Sequence, residues 1–461
     1  MSLPRHAQSP SRGQSNGPVL GGKDRIVTFA LGTDTAGSGR VPAALNNIVG
    51  LKPTLGAISS TGVVPACRTL DTISIFASTV SDAWAAYQVA AGYDDADSFS
   101  RRIAVPSLTT PPRSLRVGVP DAATREFFGD RDQAASFDAV LKRLSDLGAT
   151  IIELDFTPFF EVAKMLYEGA WVAERLSVVE DLFRRDPEAL HPVTRQIIGG
   201  GESLSAVDAF RGIYRLTDLK RRTEPLLEQI DALCVPTIPT FYSVADLDAD
   251  PIGPNSRLGT YTNFVNLMDL CGIAVPSGPR PDGRPGSVTL LARAGEDVVA
   301  AALAEEIHRS ADPCLGATTH RLPPATPSVA GPVPGEFALA VVGAHMSGLP
   351  LNHELTSRGG RFLSAAETSG SYRLYALAGG PPQRPGMLRS EPGAAISLEV
   401  WAMPAKGFAD FVSSIPSPLS IGTIELSDGK KVKGFLVEAA GTEGATDITS
   451  FGGWRSYLES V

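Results

Sequence analysis

Residues 29–54 read FALGTDTAGSGRVPAALNNIVGLKPT, and this stretch constrains the chain more than any other. An apolar strand ends at Leu31 and the chain then turns through Gly32, Gly37 and Gly39. Small residues at such a turn let the backbone approach a ligand closely. Ser38 lies in its middle. Successive free N–H groups in a turn of this kind form a concavity suited to a developing oxyanion, and a serine beside such donors is what acyl transfer requires.

Around this turn the pattern alternates between strand and helix. Apolar segments LRVGVP (115–120), TIIELDF (150–156), IDALCVP (230–236), GIAVPSG and SVTLLA read as strands. Helical spacing predicts helices over 80–92 (capped by Ser81), 133–147, 159–183, 204–229, 260–270 and 297–309. The order implies α/β layering. Residues 310–335 are Pro-rich without hydrophobic periodicity and read as a linker. Beyond it, SYRLYAL, ISLEVWAM, SIGTIEL and KVKGFLVE suggest a small unit of short strands.

Composition excludes several function classes. The formal net charge of -9 argues against nucleic acid or an anionic membrane as partner, since both need a basic face. Cys67, Cys234, Cys271 and Cys314 form no CxxC pair, so neither a metal cage nor a disulfide framework is expected. No apolar run is long enough to span a bilayer, and MSLPRHAQSPSRGQSNGP contains no apolar signal core. The expected compartment is cytoplasmic.

The stretch GTDTAGSGRVPAALNNIVGLKPT resembles the signature of the amidase family. The resemblance implies a mixed α/β sheet flanked by helices and a Ser–cisSer–Lys triad without metal or cofactor. Ser38 is then the nucleophile, with the backbone amides of Thr35, Ala36, Gly37 and Ser38 as the oxyanion hole. Asp34 and Arg40 fall on motif positions that hold the loop in shape. The family's bridging serine falls in register on Gln14, within RGQSNG (12–17), with Ser15 one place out of step. Lys23 precedes Ser38 and reads as an exposed loop residue. The expectation is therefore an amidase-signature domain with its front part missing and little hydrolytic activity alone.

The segment LYEGAWVAERLSVVED is similar to a helix of allophanate hydrolases in which a Tyr and an Arg hold the substrate carboxylate, which implies that role for Tyr167 and Arg175. Residues 234–278 resemble the same subfamily, with Thr262 and Asn263 orienting a wall of the site. FALAVVGAHMSGLPLNHELTSRGGRF (337–362) resembles the start of their C-terminal domain, a small α+β barrel-like unit similar to gamma-glutamylcyclotransferases. Some family members are credited with a second step there. The polar candidates in it are His345, His353 and Glu399, while FVSSIP (411–416) lacks the carboxylate a cyclotransferase needs. The implied organisation is a lead-in (1–25), a partial amidase domain (26–309), a linker (310–335) and the C-terminal domain (336–461). The implied substrate is allophanate, and the implied partners are a second copy of the chain and urea carboxylase. Two alternatives stay open: an amidase for another small amide, and a non-catalytic protein for binding or assembly.

Overall fold

The computed structural model describes residues 27–112, 115–324 and 331–460. Gln14, Ser15 and Lys23 lie outside the described residues. Two compact units are formed, one from 27–105 with 116–324, the other from 106–112, Leu115 and 331–460.

The first unit is built on a mixed sheet of eight strands among the described residues. In chain order these are β1 (Phe29–Asp34), β2 (Val49–Lys52), β3 (Thr72–Ala77), β4 (Arg116–Pro120), β5 (Thr150–Leu154), β6 (Ala232–Pro236), β7 (Leu270–Pro279) and β8 (Pro285–Arg293). Their order across the sheet is β1-β3-β2-β7-β8-β6-β4-β5. β4 runs parallel to β5 and β6, and the other pairs are antiparallel. β2, β3 and β6 are buried along their whole length, as strands covered on both faces must be. An apolar cluster joins Phe156, Phe159, Leu166, Tyr261 and Phe264 to Leu233 and Val235 of β6.

Several helices differ from the sequence reading. The helix Val80–Ala90 is capped by Thr79, whose side chain accepts from the Asp82 amide, rather than by Ser81. The expected helix 159–183 is two helices, Thr157–Glu168 and Ala170–Arg185, broken at Gly169 with extended backbone. The expected helix 260–270 shortens to Asn263–Leu267, because Leu270 already opens β7. Helix Asp297–Ala311 is followed by residues that pack back on the first unit: Asn47 Nδ2 donates to the carbonyls of Cys314 (2.7 Å) and Gly316 (2.9 Å).

The second unit has strands β9 (Glu336–Val341), β10 (Arg361–Glu367), β11 (Tyr372–Ala376), β12 (Pro385–Arg389), β13 (Ser397–Pro404), β14 (Leu419–Glu425), β15 (Lys431–Val437) and β16 (Thr446–Asp447). They form a five-stranded sheet, β10-β13-β9-β15-β14, and a three-stranded one, β12-β11-β16. Its own core gathers Leu339, Tyr372, Trp401, Met403, Phe411 and Trp454. Among the described residues, no helix is long and apolar enough to cross a membrane.

One buried group makes stability pH-dependent. His308, on helix Asp297–Ala311, is 1% exposed and neither ring nitrogen has a partner among the described residues. Burial, helped by Arg309, pushes its pKa from 6.5 to about 3. The folded state thus refuses a proton that the unfolded state accepts. Its contribution is complete above the ordinary histidine value and is lost as pH falls below it. We expect His308→Leu to lose less stability than the parent between about pH 6.5 and about pH 5, above the carboxylate range. Urea titrations at both pH values check this, and equal losses would contradict it.

Candidate active site

β1 lies at the sheet edge, paired with β3 from Phe29↔Ala77 to Asp34↔Thr72, and delivers the chain into the turn 35–40. Asp34 and Arg40, both fully buried, hold the turn from inside. Asp34 Oδ2 accepts from Arg40 Nε (2.8 Å) and the Gly39 amide (3.1 Å). Asp34 Oδ1 accepts from Arg40 Nη2 (2.9 Å) and the Gly37 amide (2.8 Å). Burial works to raise the Asp34 pKa, but Arg40, Lys52 and the Gly37 amide outweigh it and the carboxyl lies below its usual value.

The outer side of the turn is held by the helix Asn263–Leu267 and the residue before it. Thr262 Oγ1 donates to the Ala36 carbonyl at 2.8 Å. Gly37 has φ +123°, and a Cβ there would meet Thr262 Oγ1 at 2.4 Å, so glycine is required on both counts. Asn266 Nδ2 donates to the carbonyls of Asp34 (2.8 Å) and Leu70 (2.9 Å). The sequence reading named Thr262 and Asn263 but passed over Asn266, which lies one helical turn beyond Thr262. Asn263 packs under Gly259, where a Cβ would sit 2.4 Å from its Nδ2.

Ser38 is half-buried, and its Oγ donates to the Thr33 carbonyl at 2.7 Å. The Gly37 amide is taken by Asp34, whereas among the described residues no acceptor faces the amides of Thr35, Ala36 and Ser38. The buried Lys52 on β2 points elsewhere: its Nζ donates to the carbonyls of Leu270 (2.8 Å) and Pro53 (3.1 Å). Burial brings its pKa down to about 8.

Tyr167 and Arg175 lie on different helices, yet Gly169 folds them together. The Arg175 guanidinium sits 4.5 Å from the centre of the Tyr167 ring. Arg175 also acts electrostatically on the Cys67 thiol, whose pKa is raised mainly by burial and Glu174.

In the second unit a cavity of about 380 Å³ is lined by His345, His353, Glu354, Arg358, Arg384 and Phe411, among others. His345 Nε2 lies 3.1 Å from Glu354 Oε2, and its ring stacks on Phe435 with 5.1 Å between centres. Burial lowers the His345 pKa against the opposing pull of Glu354. His353 Nδ1 lies 2.9 Å from the Pro350 carbonyl. Glu399 is not among the residues lining that cavity. Its Oε2 accepts from the amide and hydroxyl of Ser347 (2.8 and 2.9 Å) and from Trp401 Nε1 (3.1 Å). Its Oε1 accepts from Arg455 Nη2 at 2.9 Å, so Glu399 holds the opening loop of this unit. Among the described residues, no group of His, Cys, Asp and Glu is arranged to hold a metal ion.

The amidase family model matches residues 24–299, more than half of the chain. The chain belongs to the amidase family. In this amidase, residues 337–459 match the model of the allophanate hydrolase C-terminal domain. Allophanate hydrolase of Kluyveromyces lactis is 39% identical and superposes with a TM-score of 0.77, over 100% of this chain and 77% of that one. Urea amidolyase of Saccharomyces cerevisiae is 40% identical over 454 residues, 95% of this chain and 24% of the relative. The chain thus spans about a quarter of the length of the urea amidolyases it matches. A glutamyl-tRNA(Gln) amidotransferase chain of Thermotoga maritima is 24% identical with a TM-score of 0.56, over 66% of this amidase and 67% of that chain, and shares the fold. The mixed sheet flanked by helices, followed by a separate sheet unit, is the architecture expected from the sequence.

Proposed function

We propose that this amidase hydrolyses allophanate, releasing ammonia and carbon dioxide, through an acyl-enzyme on Ser38, at a reduced rate because no base is bonded to Ser38 among the described residues. The observation that carries this is the turn itself: a serine whose own amide and those of Thr35 and Ala36 have no acceptor among the described residues, in a loop locked by a fully buried Asp34–Arg40 pair. Ser38 Oγ attacks the amide carbonyl, and the amides of Thr35, Ala36 and Ser38 receive the oxyanion. Collapse expels ammonia, whose nitrogen takes the proton the hydroxyl gives up; water then releases the acyl group and restores the hydroxyl, and breakdown of the released dicarboxylate gives carbon dioxide and the second ammonia. Before attack, the hydroxyl must leave the Thr33 carbonyl to which it donates. Arg175, backed by the Tyr167 ring, offers its guanidinium to the substrate carboxylate.

Arg175→Leu is expected to raise KM and lower kcat/KM for allophanate by about 10- to 100-fold, as loss of a hydrogen bond to a charged group implies. Steady-state ammonia release measures it. Unchanged kcat/KM would favour an amidase for another small amide.

The second unit's cavity, with Arg358 and Arg384 beside His345 and His353, suits a small carboxylate and is the place for a second step on the deaminated product. The proposal includes a homodimer, supported by the exposed apolar stripe Val207, Phe210, Ile213 and Tyr214 on helix Ala206–Glu228. It also includes association with a urea carboxylase in the cytoplasm, supported by the urea amidolyase relatives and four free cysteines. Sedimentation of the chain alone and mixed with a urea carboxylase reads both associations.

A second reading is binding without turnover. It is favoured by the Ser38 hydroxyl donating to a carbonyl while, among the described residues, no base is bonded to it. Calorimetric binding of malonate without ammonia release from allophanate would select this reading.

A further inference from the structure

Two carboxylates that the sequence does not single out grip one loop from both ends. Asp71, where β3 begins, accepts from Thr35 Oγ1 at 2.5 Å through Oδ1. Its Oδ2 accepts from the amides of Ala66 (2.8 Å) and Cys67 (3.0 Å). Glu174, on the helix Ala170–Arg185, accepts from the Thr69 amide (2.8 Å) and Thr69 Oγ1 (2.7 Å). Between these grips the loop is closed on itself, since the amides of Leu70 and Asp71 both donate to the Cys67 carbonyl (2.9 and 2.8 Å). Asn266 holds the Leu70 carbonyl from below. The segment Ala66–Asp71 therefore joins the nucleophile turn, at Thr35, to the residue preceding Arg175. Arg175 itself acts on Cys67 of the same segment.

We propose that Ala66–Asp71 is a spacer that sets the separation between the Ser38 turn and the Arg175 guanidinium, and so selects acyl groups with one atom between the scissile carbonyl and the carboxylate. Glu174 and Asp71 are its positioning residues. The proposal rests on the assignment of Arg175 to the substrate carboxylate. A substrate held at both ends meets the nucleophile and the guanidinium together only if their separation matches its length, and small misplacements are costly in rate. The Thr69–Glu174 contact is exposed, so the tie contributes little to global stability. Its effect falls on alignment.

The test compares the full chain with its Glu174→Ala and Asp71→Asn variants on malonamate, on succinamate (one methylene longer) and on propionamide (no carboxylate). Malonate and succinate affinities by calorimetry give the same selectivity without turnover. The expected result for Glu174→Ala is a fall of about tenfold in the malonamate-to-succinamate ratio of kcat/KM, carried by KM for malonamate, with propionamide turnover changed less than about twofold. Asp71→Asn shifts the ratio in the same direction and also slows propionamide, because Thr35 belongs to the turn. A parallel fall on all three substrates, or an unmoved ratio, would overturn the spacer. Arg175→Leu separates the two ideas. If it leaves the preference for malonamate over propionamide intact, the carboxylate reading fails and the spacer with it. If it erases that preference while Glu174→Ala leaves the malonamate-to-succinamate ratio unmoved, the spacer alone fails.

Discussion

Replacing Asp34 with alanine is expected to destabilise the first unit by about 3–5 kcal/mol, the cost of removing one partner of a buried ion pair. The reason is local and complete. Arg40 and Asp34 are both fully buried, so the orphaned guanidinium has no water to turn to. Its remaining acceptors, the Thr262 carbonyl at 3.2 Å and Asn266 Oδ1 at 3.3 Å, are long. One Nη of Arg40 is already without a partner among the described residues. The same substitution frees the Gly37 and Gly39 amides and so unlocks the turn that presents Ser38. Urea unfolding of the full chain should show the transition of the first unit moved and that of the second unit, which has its own core, left in place. Asp34→Asn keeps the shape and loses the charge, and should fall between. An Asp34→Ala protein with the parent's midpoint would show that the pair is not what holds the turn.

The second large effect is catalytic. Ser38→Ala removes the atom that forms the acyl-enzyme while leaving the fold almost untouched, because the side chain is half-buried and, among the described residues, makes one hydrogen bond, to Thr33. Loss of a serine nucleophile costs up to about 10^4- to 10^6-fold in kcat where its base is engaged, and correspondingly less from the low parent rate of this chain, with the residual rate coming from the oxyanion donors and binding. KM should change little, since Arg175 and Tyr167 are unaffected. Stability should stay within about 0.5 kcal/mol of the parent, as for a partly exposed substitution with no special backbone role.

Much of this site could be read from the chain before its structure. Gly37 and Gly39, the serine between them and the acid–base pair around them lie within seven residues, Asp34 to Arg40, so their relation is local, while Gly32 belongs to β1. What escaped reading was built across distance or hidden by burial. β2 carries no polar alternation, because both its faces are covered and Lys52 is itself a core residue. The break at Gly169 left no trace in the periodicity, since one glycine lowers helix propensity by only about 1 kcal/mol and apolar spacing continues on either side. That break is what swings Arg175 over Tyr167. Thr79 and Ser81 are equally good caps by type, and only the Asp82 amide decides between them. Asp71 and Glu174 act on residues 36 and 105 positions away, separations that no local pattern encodes. Glu399, a polar candidate by its place on an expected strand, does not line the cavity of the second unit. Its partner Arg455, 56 positions on, makes it a structural anchor.

The most direct measurement is ammonia release from allophanate by the full chain and by Ser38→Ala at equal concentration, with malonate affinity measured on both. The expected result is slow release by the parent, its loss to the uncatalysed background in the variant, and the same malonate affinity in each. Release that survives in Ser38→Ala, or a parent that binds malonate and releases no ammonia, would contradict Ser38 as the nucleophile of an active hydrolase.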